Sequence, residues 1–165
     1  MAVHKGESTE LYPVAIGIID DDDKYHLIEA SRTLSRQLYL WAKSTEHLKG
    51  KGGINMIPSM ASVTLTHLHL GHVDGLGLFG REAIGSPSGS IRLISSAPVI
   101  NSLKCLDPFC VETITNESTI QLGSGVALEF WRVPHREEEG SETYGIVIRG
   151  TKKSIFFLPD HVGPQ

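Results

Sequence analysis

The chain has 165 residues, 40% of them hydrophobic, which is enough for one core and too short for two ordinary domains, so we expect a single domain over residues 1–165. Its net charge of −4 is mild and no basic or Arg-rich run occurs, so nothing in the composition indicates a nucleic-acid partner. Because residues 1–12 have no apolar core of signal-peptide length and no later segment reaches the ~18 apolar residues that span a bilayer, we expect a cytoplasmic protein with no membrane contact.

The sequence pattern in the first third of the chain predicts two strands and a helix. The strands cover residues 13–19 and 25–30, and the acidic run Asp20–Asp23 between them predicts an exposed hairpin connection. A metal site in that run is disfavoured, because consecutive side chains on a turn diverge. Ser31 is a suitable cap for a helix whose residues at helical spacing, Leu34 and Leu38 among them, are predicted to pack on the core.

Three histidines stand where a strand passes into a helix. Residues 61–65 are β-branched and apolar, as in a buried strand, and residues 76–83 predict an apolar helix face. Side chains in an extended segment alternate, so His67 and His69 point the same way, and His72 can join them from the first helical turn. Three imidazoles with an open position are the ligand set of a catalytic zinc or iron site. The alternative is a polar strand end with scattered histidines.

The rest of the chain predicts further strands and one short helix. Strands are expected at 91–95, 119–122, 126–133, 144–149 and 154–158, and a helix at 97–103. Cys105 and Cys110 form no disulfide framework and are predicted to be ordinary buried or half-buried thiols.

Two potential ligands follow strand ends in this second half. His135 comes just after the strand at 126–133, a position that by itself predicts a surface residue. Asp160 follows the last strand, and a carboxylate beside imidazoles can bind one ion or bridge two. The neighbouring His161 is predicted to point the other way.

The run His67-Leu68-His69-Leu70-Gly71-His72 resembles the His-x-His-x-Asp-His signature of the metallo-β-lactamase-fold hydrolases. Within that superfamily it is most similar to the branch of pyrroloquinoline-quinone biosynthesis protein B-like proteins. Residues 28–38, 133–145 and 157–160 resemble further motifs in the same order, so the similarity covers roughly residues 13–162, with a poor match at about 86–120. The main departure is Gly71, which stands where the signature has aspartate.

This resemblance implies an α/β fold, the αββα sandwich in which helices cover both outer faces of two packed sheets. It also implies that the chain lacks much of the C-terminal half of the fold. An open apolar face is then expected on the second sheet, to be covered by a homodimer or by a missing C-terminal segment.

The resemblance also implies a set of metal ligands. His67, His69 and His135 correspond to the first metal position, and Asp160 corresponds to the aspartate that bridges both positions. The second position keeps only His72 besides that aspartate, because Gly71 replaces one ligand and the chain lacks a final histidine. We therefore expect one divalent ion, with zinc first and manganese or iron as alternatives.

Several residues near the ligands have roles that the sequence leaves open. His72 is either a weak second-site ligand or a hydrogen-bond donor near the open coordination position, and with Asp160 it is a catalytic candidate. Glu29 is either a carboxylate that orients a ligating histidine or a plain surface residue. Asp74 is predicted to decorate the first helical turn, with replacement of the missing carboxylate as the alternative.

The expected activity is hydrolysis of an ester, phosphodiester or related bond in a small-molecule substrate, using a metal-activated water. The resemblance leaves two alternatives open. One is an iron-dependent oxidative enzyme related to quinone-cofactor biosynthesis, and the other is a non-catalytic, truncated relative.

Overall fold

The computed structural model describes residues 12–45, 59–80, 89–104, 106–135 and 142–161. Its strands form two sheets, in each of which the strands lie side by side in chain order. The first sheet contains β1 (Ile16–Ile19), β2 (Tyr25–Ile28), β3 (Met60–Thr64), β4 (Ile91–Ser96) and β5 (Phe109–Ile114). The second contains β6 (Thr119–Gly123), β7 (Val126–Val133), β8 (Thr143–Arg149) and β9 (Ser154–Phe157).

The sheets differ in strand direction. β1 is antiparallel to β2, whereas β2 to β5 are mutually parallel, and all pairs in the second sheet are antiparallel. The connections of the first sheet carry α1 (Leu34–Thr45), α2 (Leu70–Val73), a 3₁₀ helix (Asp74–Phe79) and α3 (Ala97–Ser102). None of the helices among the described residues has the length and apolarity needed to cross a membrane.

The first sheet is buried on both faces, as β2 illustrates. Leu27 and Ile28 are 3% and 0% exposed, and because successive side chains on a strand alternate, they enter different cores. Leu27 packs with residues of the helices, including Leu34 and Phe79. Ile28 packs with residues of the second sheet, including Phe130. The described residues therefore form three layers, which are helices, first sheet and second sheet.

The strands predicted from the sequence are all present, with ends shifted by up to three residues. One strand, β5, was not predicted, because only Ile114 among its six residues is buried and the apolar pattern is weak. The prediction for Cys110 is wrong, since this cysteine lies on β5 and is exposed. Cys105 is outside the described residues.

Two local predictions are also corrected. The segment after the histidines is not one apolar α-helix, because α2 ends at Val73 and the 3₁₀ helix follows. The acidic run is exposed at Asp21–Asp23 only, whereas Asp20 is 3% exposed and pairs with the buried His26.

The second sheet has exposed apolar side chains. Trp131, Phe156 and Leu158 are 40%, 57% and 36% exposed, and Gly145 lies beneath the last two, since a Cβ at Gly145 would contact both. Exposed apolar patches are found at interaction surfaces. The homodimer or C-terminal segment expected to cover it stays a prediction.

Gly75 fixes the approach of the 3₁₀ helix to the start of α1. A Cβ there would overlap the backbone oxygen of Ser31 and lie 2.8 Å from the Leu34 Cβ. Since a backbone atom cannot rotate away, we expect Gly75→Ala to lower the free energy of unfolding in urea by about 1–3 kcal/mol. Gly77→Ala, in the same helix, is the matched control because its Cβ would meet nothing within 4 Å. Equal stability of the two variants would contradict this packing.

Candidate metal centre

The candidate site lies where the parallel strands end. His67 and His69 follow β3, and His72 lies in α2. The backbone N–H of His72 donates to the carbonyl of His69 (2.8 Å). This turn brings the His72 ring within 4.1 Å of the His67 ring, measured between centroids. His135 and Asp160 arrive from the second sheet, just after β7 and β9.

All five predicted site residues meet at one carboxylate oxygen. Asp160 Oδ2 lies 3.4 Å from His67 Nε2, 3.9 Å from His69 Nδ1, 3.5 Å from His72 Nε2 and 3.7 Å from His135 Nε2. Between imidazoles, His69 Nδ1 is 3.0 Å from His67 Nε2 and 3.4 Å from His135 Nε2. The structure therefore brings together four nitrogens and one oxygen, each able to donate a lone pair.

This donor set fits a divalent metal ion. Two ligands that each lie 2.0–2.1 Å from one zinc ion at a tetrahedral angle are about 3.3 Å apart. The ligand atoms of His67, His69, His135 and Asp160 lie within 4.8 Å of one another, and the nearest pairs are close to that spacing. Imidazole nitrogen and carboxylate oxygen are the ligand types that zinc, manganese and iron accept.

A buried carboxylate orients two of the histidines. Glu29 is fully buried, and its carboxylate accepts a hydrogen bond from Thr66 Oγ1 and lies 3.4 Å from His72 Nδ1. Thr66 Oγ1 in turn lies 2.9 Å from His67 Nδ1, which donates to it. A proton on Nδ1 of each imidazole would face these two oxygens and would leave Nε2 directed at Asp160. The surface alternative for Glu29 is wrong, and the role of Thr66 was missed because its partner lies 37 residues away.

The backbone at Glu29 is consistent with this role. Its φ of +70° is in the left-handed region, which costs a non-glycine residue about 1 kcal/mol or more. Such conformations persist at positions that the surrounding structure over-determines, and they cluster at functional sites.

Burial and neighbouring charges shift the protonation of the cluster. Burial, with the imidazoles of His72, His69 and His135, lowers the pKa of His67 to about 3, so His67 is neutral and able to bind a metal at physiological pH. Burial raises the pKa of Glu29, although contacts with His72 and Thr66 oppose the rise. Burial opposes protonation of His72, but the hydrogen bond and charge of Glu29, followed by Asp160, raise its pKa.

Three positions next to the ligands contribute no ligand atom of their own to the cluster. Asp74 accepts hydrogen bonds from Arg32 Nε (3.2 Å) and Nη2 (2.9 Å), so it ties the 3₁₀ helix to the segment before α1 rather than replacing the missing carboxylate. Gly71 has open space around it, since a Cβ there would meet nothing within 4 Å. His161 is exposed.

The orienting role of Glu29 predicts a metal-affinity defect. In Glu29→Gln the buried carboxyl that contacts His72 and, through Thr66, His67 becomes an amide while the side-chain shape is kept. We expect the metal dissociation constant, measured by competition with a chelator, to rise about 10- to 100-fold. Glu117→Gln is the matched control, because Glu117 is an exposed carboxylate whose φ, +65°, is also positive. Unchanged affinity in Glu29→Gln would contradict the orienting role.

Comparison with known proteins finds similar solved structures but no similar sequence family. No protein-family model matches the chain, and no curated protein matches it in sequence. Among solved structures, Zn²⁺-bound PqqB from Methylobacterium extorquens is similar over 91% of this chain and 53% of its own, with 18% identity and a TM-score of 0.69. The subclass B3 metallo-β-lactamase MEM-A1 from a soil metagenome library is similar over 86% and 54%, with 15% identity and a TM-score of 0.58.

The structure of a human enzyme is also similar to this chain. The short form of human tRNase Z matches over 91% of this chain and 65% of its own, with 14% identity and a TM-score of 0.56. The chain thus spans between 53% and 65% of the length of these three structures. The expected fold class is confirmed, and the chain has the metallo-β-lactamase fold.

Proposed function

We propose that the protein is a metal-dependent hydrolase that binds one divalent ion through His67, His69, His135 and Asp160. The observation that carries this proposal is the convergence of three imidazole nitrogens on Asp160 Oδ2 at 3.4–3.9 Å. Zinc is the first choice of ion, because the ligand set is nitrogen-rich and the PqqB neighbour is zinc-bound. Manganese and iron are the alternatives.

The proposed mechanism divides the work between the ion and the protein. When bound, a divalent ion lowers the pKa of a coordinated water towards about 7 and polarises the scissile carbonyl or phosphoryl oxygen. His72, held at Nδ1 by Glu29, presents Nε2 to the same point, where it can hydrogen-bond the substrate or the attacking water. Asp160 would be one of the residues that hold the ion, and its carboxylate can also accept a hydrogen bond from the attacking water.

The proposed substrate is a small molecule with an ester, phosphodiester or related bond. Within the metallo-β-lactamase fold, the neighbours include a lactamase and a tRNase by name. Such a range means that the fold alone does not select the bond to be cleaved. The mild net charge gives no support to a nucleic-acid substrate.

The similarity to PqqB is also compatible with a second candidate, an iron-dependent oxidative enzyme. Histidines with one carboxylate also suit ferrous iron with open positions for oxygen. The identity of the bound metal separates the candidates, since zinc or manganese supports hydrolysis and iron supports oxidation.

The deciding experiment measures metal content and then activity. Protein purified without added metal is analysed for its elements, and the metal-loaded and chelator-treated forms are assayed on chromogenic esters and phosphodiesters. We expect about one ion per chain and chelator-sensitive hydrolysis of at least one substrate class. Stoichiometric zinc without any hydrolysis would reject the activity but keep the site. Absence of stoichiometric metal would reject both and leave the non-catalytic alternative.

A further inference from the structure

A second cluster of buried polar residues lies away from the candidate metal centre. It occupies the interior between the sheets at the beginning of the parallel strands, whereas the histidines follow the strand ends. Asp20, His26 and Ser62 are 3%, 1% and 0% exposed. His26 Nδ1 lies 2.8 Å from Ser62 Oγ, and His26 Nε2 lies 3.2 Å from Asp20 Oδ2.

The hydrogen bonds of this cluster fit an ionised Asp20 and a neutral His26. Asp20 Oδ1 accepts the backbone N–H groups of Asp22 (2.9 Å) and Lys24 (2.8 Å), as an ionised carboxylate does. Asp20 Oδ2 then accepts the proton of His26 Nε2, and His26 Nδ1 accepts the hydroxyl proton of Ser62. A neutral His26 therefore satisfies both of its ring nitrogens.

The arrangement of serine, histidine and aspartate is not a nucleophilic catalyst. Ser62 is 0% exposed, so a substrate has no access to its hydroxyl. The cluster instead connects the two sheets, because Asp20 lies against β6 of the second sheet.

Three contacts join this end of the first sheet to β6 and the turn after it. A Cβ at Gly123 would overlap Asp20 Oδ2, so the carboxylate lies directly against the backbone of β6. The backbone N–H of Asp21 donates to the carbonyl of Ser124 (3.4 Å). Arg92 Nη1 donates to the carbonyls of Gln121 (2.9 Å) and Leu122 (3.1 Å).

We propose that Asp20, His26 and Ser62 form an acid-sensitive latch that holds the beginning of the parallel strands against the β6–β7 hairpin. A second proton on His26 would reverse the hydrogen bond with Ser62, whose hydroxyl would then have to accept rather than donate. It would also place a buried positive charge near Arg92. Of the charged groups around His26, Asp20 comes from the β1–β2 turn and Arg92 comes from β4, where Glu112 of β5 pairs with it (2.7 Å). The neighbours from β3 and β6 are Ser62 and Gly123.

The direction of the pH effect follows from the pKa shifts. Burial lowers the pKa of His26, and Arg92 acts in the same direction, although Asp20 opposes it. Burial opposes ionisation of Asp20, but hydrogen bonds from Lys24, His26 and Asp22 hold its pKa below the ordinary value. Both groups bind protons more readily in the unfolded chain, so their stabilisation is complete above about pH 7 and declines below it, His26 first and Asp20 nearer pH 4.

The test compares unfolding of the metal-loaded protein in urea at pH values from 8 to 5.5. We expect His26→Gln to flatten the dependence of the unfolding free energy on pH, with up to one fewer proton taken up on unfolding than in the unmodified protein. His161→Gln is the matched control for the loss of one imidazole, since His161 is exposed. An unchanged slope in His26→Gln would overturn the latch.

A measurement on the unmodified protein keeps the proposal testable if His26→Gln does not fold. Nitrogen-15 NMR of the imidazoles should show His26 protonated at Nε2 only at pH 8, and titrating below the ordinary histidine pKa as the pH falls. Ordinary titration of His26 near pH 6.5, or a proton on Nδ1 at pH 8, would overturn the proposal.

Discussion

Replacing His67 with alanine is expected to reduce the bound metal from about one ion per chain to less than a tenth. His67 Nε2 lies 3.4 Å from Asp160 Oδ2 and 3.0 Å from His69 Nδ1, so its removal takes away a central ligand. It also leaves Thr66 and Glu29 without the imidazole that they orient. The measurement is elemental analysis of protein purified without added metal.

Two further variants test whether the loss of metal is specific to the proposed ligands. Asp160→Ala should lose the ion as well, because Asp160 Oδ2 is the atom on which the four imidazoles converge. His161→Ala should keep it, since this exposed neighbour of Asp160 is not among the described ligand clusters. Retention of the ion in His67→Ala would place the metal elsewhere and reject the proposed ligand set.

The sequence predicted the local part of this cluster from backbone geometry. His67 and His69 share a side because side chains alternate along an extended segment, and His72 returns to them through one helical turn. His135 and Asp160 could not be placed in this way, because they come from the other sheet. The end of the last strand already indicated Asp160 as a potential ligand, but only the resemblance to a known family grouped both residues with the histidines, since by its own position His135 predicted a surface residue.

The missed features depend on partners that are distant in the chain. Asp20 appears in an acidic run that predicts exposure, and its burial follows from His26 and from the bare backbone of Gly123. Glu29 appeared equally consistent with a surface position, and its burial follows from Thr66 and His72. In both cases tertiary pairing decides the burial of a carboxylate, and local sequence carries no signal of it.

Gly71→Asp is expected to raise the metal content of the protein from about one ion per chain towards two. Gly71 lies beside His72, and a Cβ there meets nothing within 4 Å, so the larger side chain fits without rearrangement. The new carboxylate would supply an oxygen ligand next to His72 Nε2 and Asp160 Oδ2, which are 3.5 Å apart. Because only His72, Asp160 and the new carboxylate would hold it, the second ion should bind more weakly than the first, as a separate step in a zinc titration followed by calorimetry.

Gly77→Asp distinguishes this effect from a simple change in charge. Gly77 also has open space around it, and it lies in the 3₁₀ helix beyond Asp74, outside the histidine cluster. The added charge is the same in both variants, so a second binding step in Gly71→Asp alone assigns it to the position beside His72. If both variants bind one ion, a carboxylate at position 71 is insufficient for a second ion. A second bound ion in Gly71→Asp would instead mean that the glycine at position 71 is what limits the unmodified chain to one ion.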